Sequence, residues 1–158
     1  MDPTRVLRLE QFREEILGGP IHSEDTARVV LELALLMAGA DGDVSEREAE
    51  QIVDVVHRLS NSPFDLAALR FAQSTNRELL ATDGIEKRIE SAGERLQDPA
   101  GRRQAYRIVA AVALVDGWLD RNELRFFHQL ARVFAISPEE SQKTVTDIRR
   151  RLFPEDER

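Results

Sequence analysis

Four dipeptides set a helix-capping side chain directly before a proline: Asp2-Pro3, Ser62-Pro63, Asp98-Pro99 and Ser137-Pro138. Proline has no amide hydrogen to leave unsatisfied in a first helical turn, its φ is already helical, and the preceding Asp or Ser accepts from the open amides. The chain is thereby committed to four helix starts. Two capping boxes, Ser45-Glu46-Arg47-Glu48 and Asp120-Arg121-Asn122-Glu123, add two more, and Ser23 ahead of Glu24 and Asp25 adds another. The punctuation predicts helices over 3–17, 24–39, 45–60, 63–75, 83–97, 99–115, 120–135 and 138–152, and no strand.

Periodicity agrees with the caps. Ala49, Ile52, Val53, Val56 and Leu59 recur at helical spacing, with Glu46, Glu50, Asp54, His57 and Arg58 on the other face, as in an amphipathic surface helix. Residues 29–40 and 108–115 are apolar nearly all round, which predicts two helices buried at the centre of a bundle. A chain of 158 residues is one domain by length. The expected fold class is therefore all-α: a single-domain bundle of about seven or eight helices over residues 1–158.

The chain also repeats itself at an offset of 75 residues. Leu33 to Gly42 aligns without gaps on Ile108 to Gly117, and the match continues through Val44 and Leu119, Ser45 and Asp120, Glu48 and Glu123, Ile52 and Phe127, Val55 and Leu130, and Leu59 and Phe134. Each unit, about 24–60 and 99–135, reads as a buried helix, an Asp-Gly turn, a cap and an amphipathic helix. A pseudo-twofold arrangement is the simplest packing for two such units. Gly42 and Gly117 stand just past a helix end, where a left-handed residue closes the last carbonyls, so both are expected at positive φ. Asp41 and Asp116 put negative charge at the carboxyl end of a helix, against the macrodipole. A local rule broken twice at equivalent positions marks both aspartates as functional candidates.

These turns resemble the TerB-like tellurite-resistance family, whose helical domain carries an alanine-rich helix ending in an Ala-Asp-Gly turn with an acidic cap downstream. The matching residues are Ala40-Asp41-Gly42-Asp43-Val44-Ser45-Glu46-Arg47-Glu48 and Val115-Asp116-Gly117-Trp118-Leu119-Asp120-Arg121-Asn122-Glu123, with Phe134-Ala135-Ile136-Ser137 after a late helix. The likeness spans about residues 25–140. It implies an all-helical domain tied to bacterial tellurite and chemical stress, with metal binding through the acidic turns. Trp118 stands where the first turn has Asp43, so the second turn offers fewer carboxylates.

On that basis Asp41, Asp43, Glu48, Asp116, Asp120 and Glu123 are the candidate ligands of one oxygen-donor site, suited to a hard divalent cation such as Mg²⁺, Ca²⁺ or Mn²⁺. The competing reading is helix capping, which accounts for Ser45, Glu48, Asp120 and Glu123 but not for Asp41 and Asp116. An EF-hand is excluded by spacing: Asp41, Asp43 and Ser45 mimic its first ligands, but Glu46 replaces the required glycine and Ile52 the bidentate glutamate. Trp118 is expected to cover the bundle as a lid or to contact a partner. His57 falls on a polar face, whereas His128 aligns with Val53 and is expected as a hydrogen-bonded core residue. Glu32 and Arg107 are repeat equivalents of opposite charge, and form either a pair near the axis or part of a solvated face.

Composition narrows the function classes. The absence of cysteine excludes disulfides, thiolate metal sites and thiol redox chemistry. No histidine pair has zinc spacing, no serine sits in a nucleophile elbow and no glycine-rich phosphate loop accompanies the acids, so a non-enzymatic role is expected over a carboxylate hydrolase. The net charge is −7. It falls wholly in residues 1–79, with 8 basic and 15 acidic side chains, while residues 80–158 carry 14 of each, a balance that disfavours nucleic-acid binding. No segment reaches the roughly 20 apolar residues needed to cross a bilayer, and residues 1–11 lack the order of a secretory signal, so the expectation is a cytoplasmic protein without membrane insertion. Two roles remain: a stress-associated domain that binds a cation, or a protein interaction module whose acids only cap helices. A protein partner is expected in either.

Overall fold

The computed structural model describes residues 3–17, 24–39, 45–60, 81–115 and 119–153, together with Ala67, Ser74 and Glu78. Within these residues the chain is helical with no strand. The elements are α1 (Pro3–Gln11), α2 (Arg13–Leu17), α3 (Glu24–Ala38), α4 (Glu46–Ser60), α5 (Ile85–Arg95), α6 (Pro99–Val115), α7 (Arg121–Val133) and α8 (Pro138–Leu152). No helix is long and apolar enough to cross a membrane. The helix expected at 63–75 lies outside the described residues apart from Ala67 and Ser74.

The caps act as their chemistry requires. Asp98 Oδ2 accepts from the Gly101 amide at 3.1 Å ahead of α6, and Ser137 Oγ accepts from the Glu140 amide at 3.1 Å ahead of α8. Asp2, Ser23 and Ser62 lie outside the described residues. The helix expected over 3–17 divides at Phe12, although the Phe12 amide still donates to Arg8 O and the Ile16 amide to Phe12 O, so the division is a bend within one hydrogen-bonded run.

The two apolar helices form the centre. Among the described helices α3 and α6 pack against one another most extensively, α8 covers α6, α4 covers α3, and α5 bridges α3 and α7. Val29, Val30, Leu31, Leu33, Ala34, Leu36 and Met37 of α3, and every residue from Ile108 to Val115 of α6, are buried. Burial at about 25 cal/mol per Å² of apolar surface is what holds two such helices together, since the stretches 29–37 and 108–115 present no face suited to water.

The first helices of the two repeat units share their burial, but the second ones do not. Ile52 and Phe127, Val55 and Leu130, and Leu59 and Phe134 are all buried. Val53 is also buried while its counterpart His128 is exposed, Ala49 is buried while Leu124 is 45% exposed, and half-buried Gln51 corresponds to buried Phe126. The expectation of a core histidine at 128 is thus overturned. Phe126 and Phe127 meet edge to face with centroids 5.5 Å apart, and Tyr106 of α6 meets Phe127 the same way at 5.7 Å. Seating both phenylalanines turns the buried face of α7 toward Phe126, which carries position 128 out to solvent.

Glu32 corrects a second expectation. It is 1% exposed, and it pairs with Arg88 and Arg95 of α5 and not with its repeat equivalent Arg107. A carboxylate in the middle of an apolar helix needs cations around it, and α5 supplies two at positions seven apart, on one face. Arg88 also reaches Asp83 at 3.5 Å. Arg107 is half-buried on α6, beside a groove of about 680 Å³ that it shares with Ile16 of α2 and with Lys143, Thr144, Asp147 and Arg150 of α8.

Candidate acidic-turn site

The candidate ligands stand around two helix-to-helix connections. α3 ends at Ala38 and α4 begins at Glu46; α6 ends at Val115 and α7 begins at Arg121. Asp41, Asp43 and Asp116 lie outside the described residues, as do Gly42, Gly117 and Trp118. The structure therefore speaks to the three ligand candidates on the far side of each turn, Glu48, Asp120 and Glu123.

The two sides differ. At α7 the capping box is complete: Asp120 Oδ1 accepts from the Glu123 amide at 2.8 Å, and Glu123 Oε1 accepts from the Asp120 amide at 3.2 Å. Each carboxylate thus spends one oxygen on the helix terminus, where negative charge is also favoured by the macrodipole. At α4 the Ser45 hydroxyl accepts from the Glu48 amide at 3.1 Å. The Glu48 carboxylate is exposed and has no partner among the described residues. The first side therefore keeps a carboxylate without a partner among the described residues, next in sequence to Asp41 and Asp43, whereas Asp120 and Glu123 on the second side are engaged by the helix terminus.

Among the described residues no three His, Asp or Glu side chains are placed to hold a metal ion. His57 is half-buried on α4 and His128 is exposed on α7. Among the described residues the one clear shift in acidity lies away from the turns. Burial raises the Tyr106 phenol above its ordinary value, and the hydrogen bond with Ser141 opposes that rise only in part.

The residues that sequence reasoning missed are Arg88 and Arg95. The signal was present, since a glutamate inside an all-apolar helix announces buried partners, but the repeat pointed to Arg107 while the cations came from α5.

No curated protein and no solved structure matches the chain. A family model does: that of tellurite resistance protein TerB, over residues 24–145, from the first residue of α3 into α8. The match takes in both buried helices, both Asp-Gly turns and both amphipathic partners, the same segments on which the resemblance rests. The chain belongs to the TerB tellurite-resistance family.

Proposed function

We propose that this TerB domain is a non-enzymatic component of a chemical-stress response and that it binds a divalent cation at its acidic turns, chiefly the first. The observation that carries this reading is Glu48: its backbone amide is capped by Ser45, yet its carboxylate is exposed and without a partner among the described residues, three residues past the cap that follows Asp41 and Asp43. An all-carboxylate donor set suits Mg²⁺, Ca²⁺ or Mn²⁺. Asp41, Asp43 and Glu48 are the core of the proposed site, Asp116 contributes from the second turn, and Asp120 and Glu123 add only the oxygens left over from capping. An acidic chain without cysteine neither attracts an oxyanion such as tellurite nor reduces it through a thiol, so the detoxifying chemistry belongs to another component.

The second reading is an interaction module that binds no metal. It is favoured by the complete capping box of Asp120 and Glu123, which explains those acids without a ligand.

Melting chelator-stripped protein during titration with Mg²⁺, Ca²⁺ and Mn²⁺ separates the two. The cation reading expects stabilisation of about 2.7 kcal/mol when free metal reaches about 100 times its dissociation constant. Asp41→Asn with Glu48→Gln should remove that response while leaving the metal-free protein no less stable. Curves unmoved by millimolar concentrations of all three cations, in protein shown to be metal-free, would leave only the interaction module.

A further inference from the structure

The outer faces of α5 and α7 carry opposite charge in matching rows. We propose that these two neighbouring helices form a self-complementary surface on which a second copy of this chain pairs. The inference does not depend on the acidic turns or on any cation.

The basic row is Arg121, Arg125, His128 and Arg132. Steps of four, three and four residues keep all of them on one stripe of α7, directly opposite the stripe that buries Phe126, Phe127, Leu130 and Ala131. All are exposed, and none of their side chains has a hydrogen-bond or ion-pair partner among the described residues. Leu124, 45% exposed, adjoins the row between Arg121 and His128. The row is not inherited from the repeat, because the counterparts of Arg121 and Arg125 in α4 are Glu46 and Glu50.

The acidic row is Glu86, Glu90 and Glu94 of α5, one helical turn apart, each exposed and likewise without a partner among the described residues. Lys87 and Arg95 flank it. The two rows span similar lengths, about 12 Å and about 16 Å at 1.5 Å per residue.

The rows are neighbours that do not meet. α5 and α7 touch closely at Gly93 and Val133, where even a methyl group on Gly93 would stand 2.5 Å from Val133 Cγ1. Gly93 continues the line of Glu86 and Glu90, so the acids run along the edge of α5 that faces α7. On α7 the contact line through Val133 lies about a quarter turn from the basic row, with Asn122 and Gln129 between them. A two-fold axis running lengthwise between the helices would set each acidic row against the basic row of the partner, twice over, as an isologous interface demands. An extended polyanion such as a nucleic acid fits less well, since the acidic row and the overall charge of −7 oppose it.

Exposed ion pairs are individually weak and screened by salt, so the dimer should form at high protein concentration and dissociate as salt rises. The test is sedimentation velocity on the full chain at about 200 μM in about 20 mM and about 500 mM salt, where the Debye length falls to a few ångströms. Dimerisation confined to low salt is expected. Arg121→Glu with Arg125→Glu and Arg132→Glu should be monomeric, and so should Glu86→Arg with Glu90→Arg and Glu94→Arg. An equimolar mixture of the two should recover the dimer, because each reversed row then faces its complement. Thermal melts by circular dichroism establish that each variant is folded. A wild type monomeric in low salt, a dimer that survives either reversal, or a mixture that stays monomeric overturns the proposal. A monomeric wild type that binds a poly-glutamate peptide through the α7 arginines also overturns it, in favour of an acidic partner.

Discussion

Replacing Glu32 by Gln tests how the bundle tolerates charge at its centre. The Glu32 side chain is 2% exposed, that of Arg88 is 9% and that of Arg95 is 44%. Gln keeps the shape and one acceptor but removes the charge, so Arg88 is left buried with only Asp83 at 3.5 Å, itself one-third exposed. Arg88 Nε already lacks a hydrogen-bond partner among the described residues, so nothing nearby takes up the loss. Removing one member of a buried ion pair costs about 3–5 kcal/mol. Arg95 is wet enough that Arg95→Ala should cost only about 1 kcal/mol, the upper range for surface pairs. Against a total stability of about 5–15 kcal/mol, the loss of Glu32 consumes a large share. Urea unfolding of wild type, Glu32→Gln, Arg95→Ala and the double replacement Glu32→Leu with Arg88→Met measures these directly, with an unchanged slope as the check on two-state behaviour. The double replacement should recover most or all of the loss, because an apolar pair of similar volume removes both desolvation penalties. If Glu32→Gln lies within about 1 kcal/mol of wild type, the charge is not held as the structure indicates, and the reasoning fails.

Two further outcomes follow from packing and protonation. Gly93→Ala should destabilise by about 1–3 kcal/mol, because its methyl would stand 2.5 Å from Val133 Cγ1, and Val133→Ala in the same chain should return part of that loss in thermal melts. Tyr106 is raised in the folded state by burial, so its stabilising contribution is present below the unfolded tyrosine pKa of about 10 and is lost as pH rises through the higher folded value. Tyr106→Phe, which keeps the edge contact with Phe127 but gives up Ser141, should lower stability by about 1 kcal/mol at neutral pH and flatten the decline seen in alkaline unfolding curves.

Much of the fold was legible because capping is a local code. Asp98-Pro99 and Ser137-Pro138 place the starts of α6 and α8 where they stand, since a cap needs only its own first turn. The burial of α3 and α6 was equally readable, as a helix apolar on every side has one place to go. What the residues concealed was rotation and partnership. Whether His128 or Phe126 turns inward depends on the room that Tyr106 leaves beside Phe127, a quantity set by a different helix. Glu32 declared that it needed cations, yet which arginines answered was settled by where α5 crosses α3. At the candidate site, Asp120 and Glu123 were readable as a reciprocal box, while whether the Glu48 carboxylate meets a partner among the described residues depends on tertiary packing. Asp41, Asp43 and Asp116 lie outside the described residues.

α1 donates two guanidinium groups to carbonyls at the ends of other helices: Arg5 to Val115 O at 3.2 Å, at the close of α6, and Arg8 to Leu152 O at 2.7 Å, at the close of α8. Arg5 also lies over the Phe153 ring at 4.2 Å. Those carbonyls have no partner within their own helices, and they sit at the negative ends of two dipoles, so each guanidinium satisfies an acceptor and a field at once. A helix of nine residues is marginal by itself. Here its opening would uncap two others, one of them the central helix α6. α1 is therefore thermodynamically part of the same cooperative unit as the core: it does not fray independently, and its amide hydrogens exchange only when the carboxyl ends of α6 and α8 let go with it.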